Sequence, residues 1–584
     1  MTVAEFFVRC LENEGVTHIF GVPGEENESL LFALEKSDIT FVPCRHEQGA
    51  AFIANVMGRL TGQAGVCLAT LGPGATNLVT GVADANLDKA PIVAITAQGG
   101  LDRLHHESHQ KIDIVNMFRP ITKWNASVAS VEVVGEMICK AFREAEQEKP
   151  GATHIELSED VADQVVPEDQ VPMAPKRPRR AASDYKAMAQ SIALIATAER
   201  PLILAGNGAI RKLASRHLTE FAEKHHIPVA STFMGKGAIS DRSELSLGAV
   251  GLGFRDYVIE AFEQSDLVIT VGYDVAEYPP EKWNRGREKN IIHIDFDPAE
   301  VYAEYDPDVE VVGDISAALW ELNRSSGRPV LSGEQDISGV YGRQQKTDSS
   351  GSEGSGKSVS GLFQKQIRGW FYPVRDRIRN DIESYRPDSS NTENGALTVP
   401  SALHVIRDKL DDDGLLISDV GTHKMWIARN FPTYSPNACL ISNGLASMGI
   451  ALPGAIAASI RQPDRQIVAA MGDGGFLMNA QELETAKRLD TSFVGIIFND
   501  FDYGLISWKQ HLSRQRSVST QIGNPDFVAF AQSFGVEGYR AATADELDRL
   551  LDDCLNRKAV AIIEVPIKTH VNNELVDRLN AYWK

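Results

Sequence analysis

Cysteine is scarce: six residues in a chain of 584. Cys10, Cys44, Cys67, Cys139, Cys439 and Cys554 lie far apart, and no pair has metal-ligand spacing. Most sit in apolar runs. This excludes a disulfide scaffold and a cysteine-based zinc site, and it reads as reduced, buried thiols in a cytoplasmic protein. Long apolar runs are also missing. No stretch reaches the roughly 18 residues that a membrane span requires, so no membrane partner is expected. Positive charge is in deficit, with 58 Lys plus Arg against 79 Asp plus Glu and a net charge of −21. That balance argues against non-specific binding to nucleic acid or to an anionic membrane. The opening stretch MTVAEFFVRCLENEG is an amphipathic helix with interspersed acids, not a secretory leader. The remainder is ordinary for globular protein, at 43% hydrophobic and 23% charged residues. Length alone predicts about three to five domains.

The most informative stretch runs from Gln466 to Asp500. Ile467 to Met471 is a short apolar run bounded by glycine, which suits a strand buried on both faces. Gly472-Asp473-Gly474 follows as a turn without bulky side chains. A helix is expected next, with Asn479 as N-cap, Glu482 three residues on, and Ala480, Leu483, Ala486 and Leu489 on one face. Phe493 to Phe498 is a second buried strand, and it ends in Asn499-Asp500. A right-handed crossover makes the two strands parallel. Asp473 and Asp500 then emerge at neighbouring carboxyl ends, where open α/β sheets bind ligands. Two carboxylates and free backbone oxygens there suit a hard divalent cation such as Mg²⁺. The glycines admit a diphosphate close to the backbone.

The pattern Gly-Asp-Gly, a spacer at 475–498 and a closing Asn-Asp resembles the signature of thiamine diphosphate-dependent enzymes. A second resemblance lies in the N-terminal third. His46-Glu47-Gln48-Gly49-Ala50-Ala51, followed by Gly72-Pro73-Gly74, is similar to the pyrimidine-binding domain of that family. The resemblance implies that Glu47 hydrogen-bonds the cofactor's aminopyrimidine and drives it to the imino tautomer that removes the thiazolium C2 proton. That role suits a carboxyl group in an apolar setting, which Phe52, Ile53 and the run Val66 to Ala69 could supply.

Alternating strands and helices recur throughout, so the fold expected is α/β, with three doubly wound parallel-sheet domains. Their expected bounds are 1–166 for the pyrimidine-binding domain, 183–324 for the central domain and 396–570 for the diphosphate-binding domain. Residues 325–395 read as a flexible insertion around TDSSGSEGSGKS, although Gly361 to Tyr385 looks helical. Residues 571–584 read as a short polar tail. Pro167 to Arg180 reads as a linker.

Within the family the chain resembles acetolactate synthases of the catabolic, FAD-independent type. The Arg-Phe-Asp-Asp-Arg segment of FAD-binding members is missing; Gly272 to Tyr278 stands in its place. Gly206-Asn207-Gly208 alone is too weak to claim a nucleotide site. Biosynthetic members carry Gln-Trp-Gln where this chain has Trp508-Lys509-Gln510, offset by one. The resemblance implies thiamine diphosphate and Mg²⁺ as cofactors, with FAD unlikely, and pyruvate as the 2-oxo acid substrate. Metal ligands would be Asp473, Asp500 and the carbonyl of Asp502. Cofactor contacts would come from Pro23, Gly24, Glu47, Gly72, Asn77, Gly421, Thr422, His423, Ala446, Met448, Gly472, Asp473, Gly474, Gly475, Asp500, Tyr503, Gly504 and Leu505. Met448 would wedge beneath the bent cofactor. Gln110 joins Glu47 as a catalytic candidate, and Gln110, Leu505, Ile506 and Trp508 would line the substrate pocket. The site would form between chains, Glu47 of one meeting Asp473 and Asp500 of another, hence a homodimer or homotetramer. Release of an aldehyde remains an alternative outcome, suggested by His105-His106. The sequence does not fix the acceptor or whether a regulatory subunit exists.

Overall fold

The structure, a computed structural model, describes residues 1–177, 180–211, 213–325, 369–387 and 396–584. The described strands build three six-stranded sheets in which all ladders are parallel. The first contains β1 (His18–Gly21), β2 (Thr40–Pro43), β3 (Gly65–Ala69), β4 (Ile92–Gln98), β5 (Trp124–Ser127) and β6 (Ala152–Ser158), in the order β2-β1-β3-β4-β6-β5. The central sheet contains β7 (Pro201–Ala205), β8 (Val229–Thr232), β9 (Ser246–Val250), β10 (Leu267–Val271), β11 (Asn290–Asp295) and β12 (Val309–Val312), ordered β12-β11-β10-β7-β8-β9. The third contains β13 (Leu415–Ser418), β14 (Cys439–Ile441), β15 (Ile467–Gly472), β16 (Phe493–Asn499), β17 (Glu537–Arg540) and β18 (Val560–Pro566), ordered β14-β13-β15-β16-β18-β17.

The strand order reverses once near the middle of each sheet: between β1 and β3, between β7 and β10, and between β13 and β15. Open parallel sheets bind ligands in the crevice that such a reversal leaves beyond the strand ends. The residues singled out in the sequence fall beside these three points. Pro23-Gly24 follows β1 and Gly72 follows β3. Gly206 to Gly208 follows β7 and Gly272 follows β10. Gly421 to His423 follows β13 and Asp473 follows β15.

The first and third domains share a core. Helix Glu47–Thr61 packs on helix Ala451–Arg461, and a single apolar cluster joins Phe20, Phe52 and Leu78 to Ile417, Ile456 and Ile497. A Cβ on Gly454 would lie 2.9 Å from Val56 Cγ2, so a glycine is what lets these two helices meet. A second cluster runs from the central domain into the outer face of the third sheet.

The helix expected within Gly361 to Tyr385 is present over Tyr372–Glu383, where it buries Val374 and Ile378, and Phe371 before it is fully buried. The low-complexity core at 326–368 and the polar run at 388–395 lie outside the described residues, as do two residues of the linker at 178–179. The expected polar tail needs correction: it is a helix, His570–Tyr582. Val571, Leu575, Val576 and Leu579 recur at helical spacing and are all buried. Asn572 accepts a 2.7 Å hydrogen bond from Trp426 Nε1, and the Arg255 guanidinium lies 3.4 Å over the Trp583 ring.

Candidate active site

Asp473 is the first residue of helix Asp473–Asn479, which leaves β15 without a spacer. Its Oδ1 accepts the Gly474 amide at 2.8 Å; its Oδ2 accepts the Phe501 amide at 2.8 Å and Asn524 Nδ2 at 2.7 Å. The pairing of Gly472 with Phe498 brings Asp500, just beyond β16, beside it. Asp500 Oδ1 accepts the Asp502 amide at 3.2 Å. Burial, reinforced by the Asp473 charge, pushes the Asp500 carboxyl up to about 7. Burial also raises Asp473, against the pull of its donors. A buried and a half-buried carboxylate that repel each other are the arrangement a cation would relieve. Asp502 Oδ1 and Thr422 Oγ1 are buried beside them and have no hydrogen-bond partner among the described residues. All of these are hard oxygen donors, which fit Mg²⁺.

A cavity of about 110 Å³ opens at this point. Gly421, Thr422 and His423 from the end of β13 form one wall, and Gly472 to Gly475 from β15 form the next. Asp500, Asp502 and Tyr503 to Ile506 close it, with Met448 at the side. Helix Gly504–Arg514 begins within the cavity wall. A Cβ on Gly504 would sit 2.6 Å from Asp500 Oδ2 and 3.0 Å from Thr422 Oγ1, so any other residue would displace the acid pair. His423 is buried without a partner for Nε2, and burial lowers it to about 3, so the ring is neutral.

The loop that carries Met448 is pinned from two sides. Asp419 is fully buried and accepts the amides of Gly449 (2.9 Å) and Ala451 (3.2 Å). Asp84 of the first domain accepts Ser442 Oγ at 2.9 Å and the Ser447 amide at 3.2 Å. Asp88 accepts the Gly444 amide at 2.7 Å. Ala446 lies in this loop with φ 57 and is outside the cavity wall.

Glu47 occupies a second half-site, in the first domain. It is the first residue of helix Glu47–Thr61, whose cap is His46, and it is buried. Its Oε2 accepts Asn77 Nδ2 at 3.0 Å. Gly72 has φ 54, and a Cβ there would meet the Gln110 carbonyl oxygen at 2.7 Å. A Cβ on Gly24 would meet Thr70 at 2.5 Å. Glu47, Asn77, Gly72 and Gln110 thus gather at the β1–β3 reversal, but none of them lines the cavity of the same chain.

Several expected residues sit elsewhere. Trp508 turns away from the cavity: it is buried against Phe254 of the central domain, ring centroids 5.3 Å apart. Gln110, Pro23, His105 and His106 are exposed on the first domain. The expected N-cap at Asn479 is overturned: Asn479 ends helix Asp473–Asn479 and donates to the Gly449 carbonyl at 2.8 Å, and a separate helix, Glu482–Arg488, follows. Sequence reasoning missed Asn524 and Ile567. Asn524 lies in a loop with no periodic signal. Ile567 follows β18, so the strand-end rule alone would have found it.

A larger cavity, about 510 Å³, lies at the β7–β10 reversal of the central domain and has mixed charge, including Lys123, Lys149, Asp274 and Glu300. Here Glu277 is buried and accepts the Asn207 amide at 3.1 Å and the hydroxyl of Thr232. Burial pushes its carboxyl up to about 8.

Family models match each domain. They are described as thiamine pyrophosphate enzyme, N-terminal TPP binding domain (residues 1–117), central domain (188–322) and C-terminal TPP binding domain (419–565). The chain belongs to the thiamine pyrophosphate enzyme family. Its likeness to acetolactate synthases runs nearly end to end. It is 34% identical over 567 residues to an acetolactate synthase of Bacillus subtilis, covering 97% of this chain and 93% of the relative. It is 32% identical over 580 residues to a catabolic acetolactate synthase of Raoultella terrigena, covering 99% and 97%. A probable acetolactate synthase large subunit of Methanococcus aeolicus is 32% identical, covering 95% and 90%. Among the described residues no helix is long and apolar enough to cross a membrane.

Proposed function

We propose that this protein decarboxylates pyruvate and joins the remaining two-carbon unit to a second pyruvate, giving 2-acetolactate and CO₂. The observation that carries this is the Asp473–Asp500 pair in a glycine-walled cavity, on a chain similar to acetolactate synthases over nearly its full length. Bound thiamine diphosphate supplies the nucleophilic carbon and the electron sink. The protein supplies position and a dry, polarising site. Asp473, Asp500 and the Asp502 carbonyl hold Mg²⁺. Gly421, Thr422, His423, Gly474, Gly475 and Gly504 receive the diphosphate, with Tyr503 and Leu505 beside it. Met448, in a loop that includes Ala446, would pack against the cofactor from the side of the cavity. Pro23, Gly24, Gly72 and Asn77 form the pyrimidine side, where Glu47 moves the proton. Gln110, Leu505 and Ile506 face the 2-oxo acid, and Trp508 supports their helix from behind.

The reading places Glu47 in the site of a neighbouring chain. Two features support this. The cavity of one chain lacks every residue of the Glu47 half-site. Large apolar side chains also stand exposed on the cavity-lining segments and the helices that continue from them, among them Met478, Phe501, Ile506 and Leu512. Such a patch marks an interface, so the active form is a homodimer or a larger homo-oligomer in the cytoplasm.

The reading includes independence from FAD. A dinucleotide diphosphate would approach the sheet at Gly206 to Gly208. The Asn207 amide there is already taken by the buried Glu277 carboxyl, and a Cβ on Gly208 would lie 2.6 Å from Gly272 Cα. His105 and His106 are exposed on the same segment as Gln110, so the aldehyde-releasing alternative is separated from this reading by its product. The test is product analysis by mass spectrometry after incubation with pyruvate, thiamine diphosphate and Mg²⁺ only. Acetolactate is the expected product; acetaldehyde alone would overturn the reading.

A further inference from the structure

Glu482 is a fully buried carboxylate that has no part in the chemistry above. It lies on helix Glu482–Arg488 of the C-terminal domain, yet its partners belong mostly to the N-terminal domain. Its Oε1 accepts the backbone N–H of Arg45 at 3.1 Å and of His46 at 3.0 Å. Its Oε2 lies 3.3 Å from the Arg45 nitrogen and accepts Thr485 Oγ1 at 2.6 Å. Six residues further along, Arg488 donates to the carbonyl of Pro43. The segment between β2 and helix Glu47–Thr61 is therefore gripped from one helix at both a carbonyl and two amides. The two amides belong to the residues that immediately precede Glu47. Packing leaves no slack, since a Cβ on Gly49 would lie 2.5 Å from Glu482 Oε1.

A buried carboxylate is costly unless donors satisfy it. An apolar residue would fill the same space between the domains, but it would leave the Arg45 and His46 amides unpaired at the one turn that aims Glu47. His46 is also the cap of that helix, its ring accepting the Gln48 amide at 3.0 Å. The orientation of Glu47 thus depends on a backbone held at Arg45 and His46 before it and at Gln48 after it.

We propose that Glu482 is a positioning residue for Glu47. The C-terminal domain of each chain sets the carboxyl that the same chain contributes to its neighbour's site. The chain segment that brings Asp473 to one cavity continues directly into the clasp that holds the acid of the other. The proposal rests on the reading of Glu47 as the group that moves the cofactor's proton.

The test uses the full-length protein with Glu482→Gln and Thr485→Val, and Glu482→Ala as a harsher variant. Two quantities are measured: amide hydrogen exchange over residues 44–48 in cofactor-free protein, and exchange of the C2 proton of bound thiamine diphosphate together with cofactor affinity. In Glu482→Gln the amides of Arg45 and His46 should exchange faster, and C2 exchange should slow about 10- to 100-fold, the scale of a small misplacement of a reacting group. Cofactor affinity should stay within about threefold, separating position from binding. Thr485→Val, which keeps the carboxylate but frees its orientation, should lie between wild type and Glu482→Gln. C2 exchange within about twofold of wild type in Glu482→Gln, or slowed only in step with lost affinity, overturns the proposal. If Glu482→Ala does not fold, the two milder variants carry the test. Failure of the functional reading looks different: wild type itself would neither bind thiamine diphosphate nor consume pyruvate, and the proposal would fall with it.

Discussion

Co-expression of two inactive variants tests the two-chain site quantitatively. Glu47→Gln removes the carboxyl proposed to move the proton, and Asp473→Asn removes one carboxylate of the proposed metal pair. Each variant alone should lose nearly all activity. In a two-fold symmetric dimer assembled at random from equal amounts of the two chains, half the dimers are mixed. If Glu47 of one chain serves the cavity of the other, each mixed dimer holds one site with both residues intact and one with both altered. Activity should therefore return to about one quarter of wild type. If each chain built its own site, every site in every dimer would carry one defect, and recovery would be nil. The structure makes the first outcome the expected one, because Glu47 is absent from the wall of its own chain's cavity and its carboxylate is held by Asn77 of its own domain. The assay is acetolactate formation by differently tagged chains purified through both tags, which isolates mixed dimers and raises the expected recovery to about one half. No recovery in tandem-purified mixed dimers would refute the reasoning.

Two further outcomes follow from buried charge. Arg429 is buried, donates to Asp256 at 2.8 Å and 3.1 Å and forms an ion pair with Asp381 at 2.8 Å, joining the third domain to the central domain and to helix Tyr372–Glu383. Arg429→Met would strand carboxylates in the interior and should cost about 3–5 kcal/mol in urea unfolding; a loss under about 1 kcal/mol would contradict the role. His154 is fully buried, stacked on Phe118 at 4.2 Å, with Nε2 2.8 Å from Thr96 Oγ1, and burial lowers it from 6.5 to about 3. The folded ring refuses a proton that the unfolded one accepts below pH 6.5. Its contribution is therefore present above 6.5 and is lost as pH falls from 6.5 toward 3, at up to about 1.4 kcal/mol per pH unit. Urea midpoints of His154→Gln between pH 7 and 5 should show a shallower decline than wild type, and an equal slope would contradict the assignment.

Much of the fold was legible because buried parallel strands are short apolar runs closed by glycine or acid. The runs Ile467 to Met471 and Phe493 to Phe498 each form a strand to within one residue, Ile467–Gly472 and Phe493–Asn499. The crossover logic that put Asp473 and Asp500 side by side holds in the register of β15 and β16. Local rules failed where long-range partners won. Asn479 and Glu482 have the spacing of a helix cap, but Asn479 spends its amide on Gly449 and Glu482 its carboxylate on residues more than 400 positions earlier. Trp508 has the helical phase of a pocket residue, but Phe254, from another domain, covers it. The helix at 570–582 hid behind a polar composition, its four apolar contacts visible only at the correct period.

The sequence by itself determined the class of cofactor chemistry. Gly-Asp-Gly, the Asn-Asp strand end and His-Glu-Gln are local patterns, and each needs only its own strand and turn to point a carboxylate out of a sheet. Tertiary structure alone decided how the two halves relate. Glu47 and Asp473 lie on one chain yet open onto separate crevices, because helices Glu47–Thr61 and Ala451–Arg461 pack the two sheets into one core and leave their strand-end crevices apart. Which carboxylate opens onto a crevice and which one grips the turn behind it is a matter of distance across that core, and no local pattern in the chain encodes it.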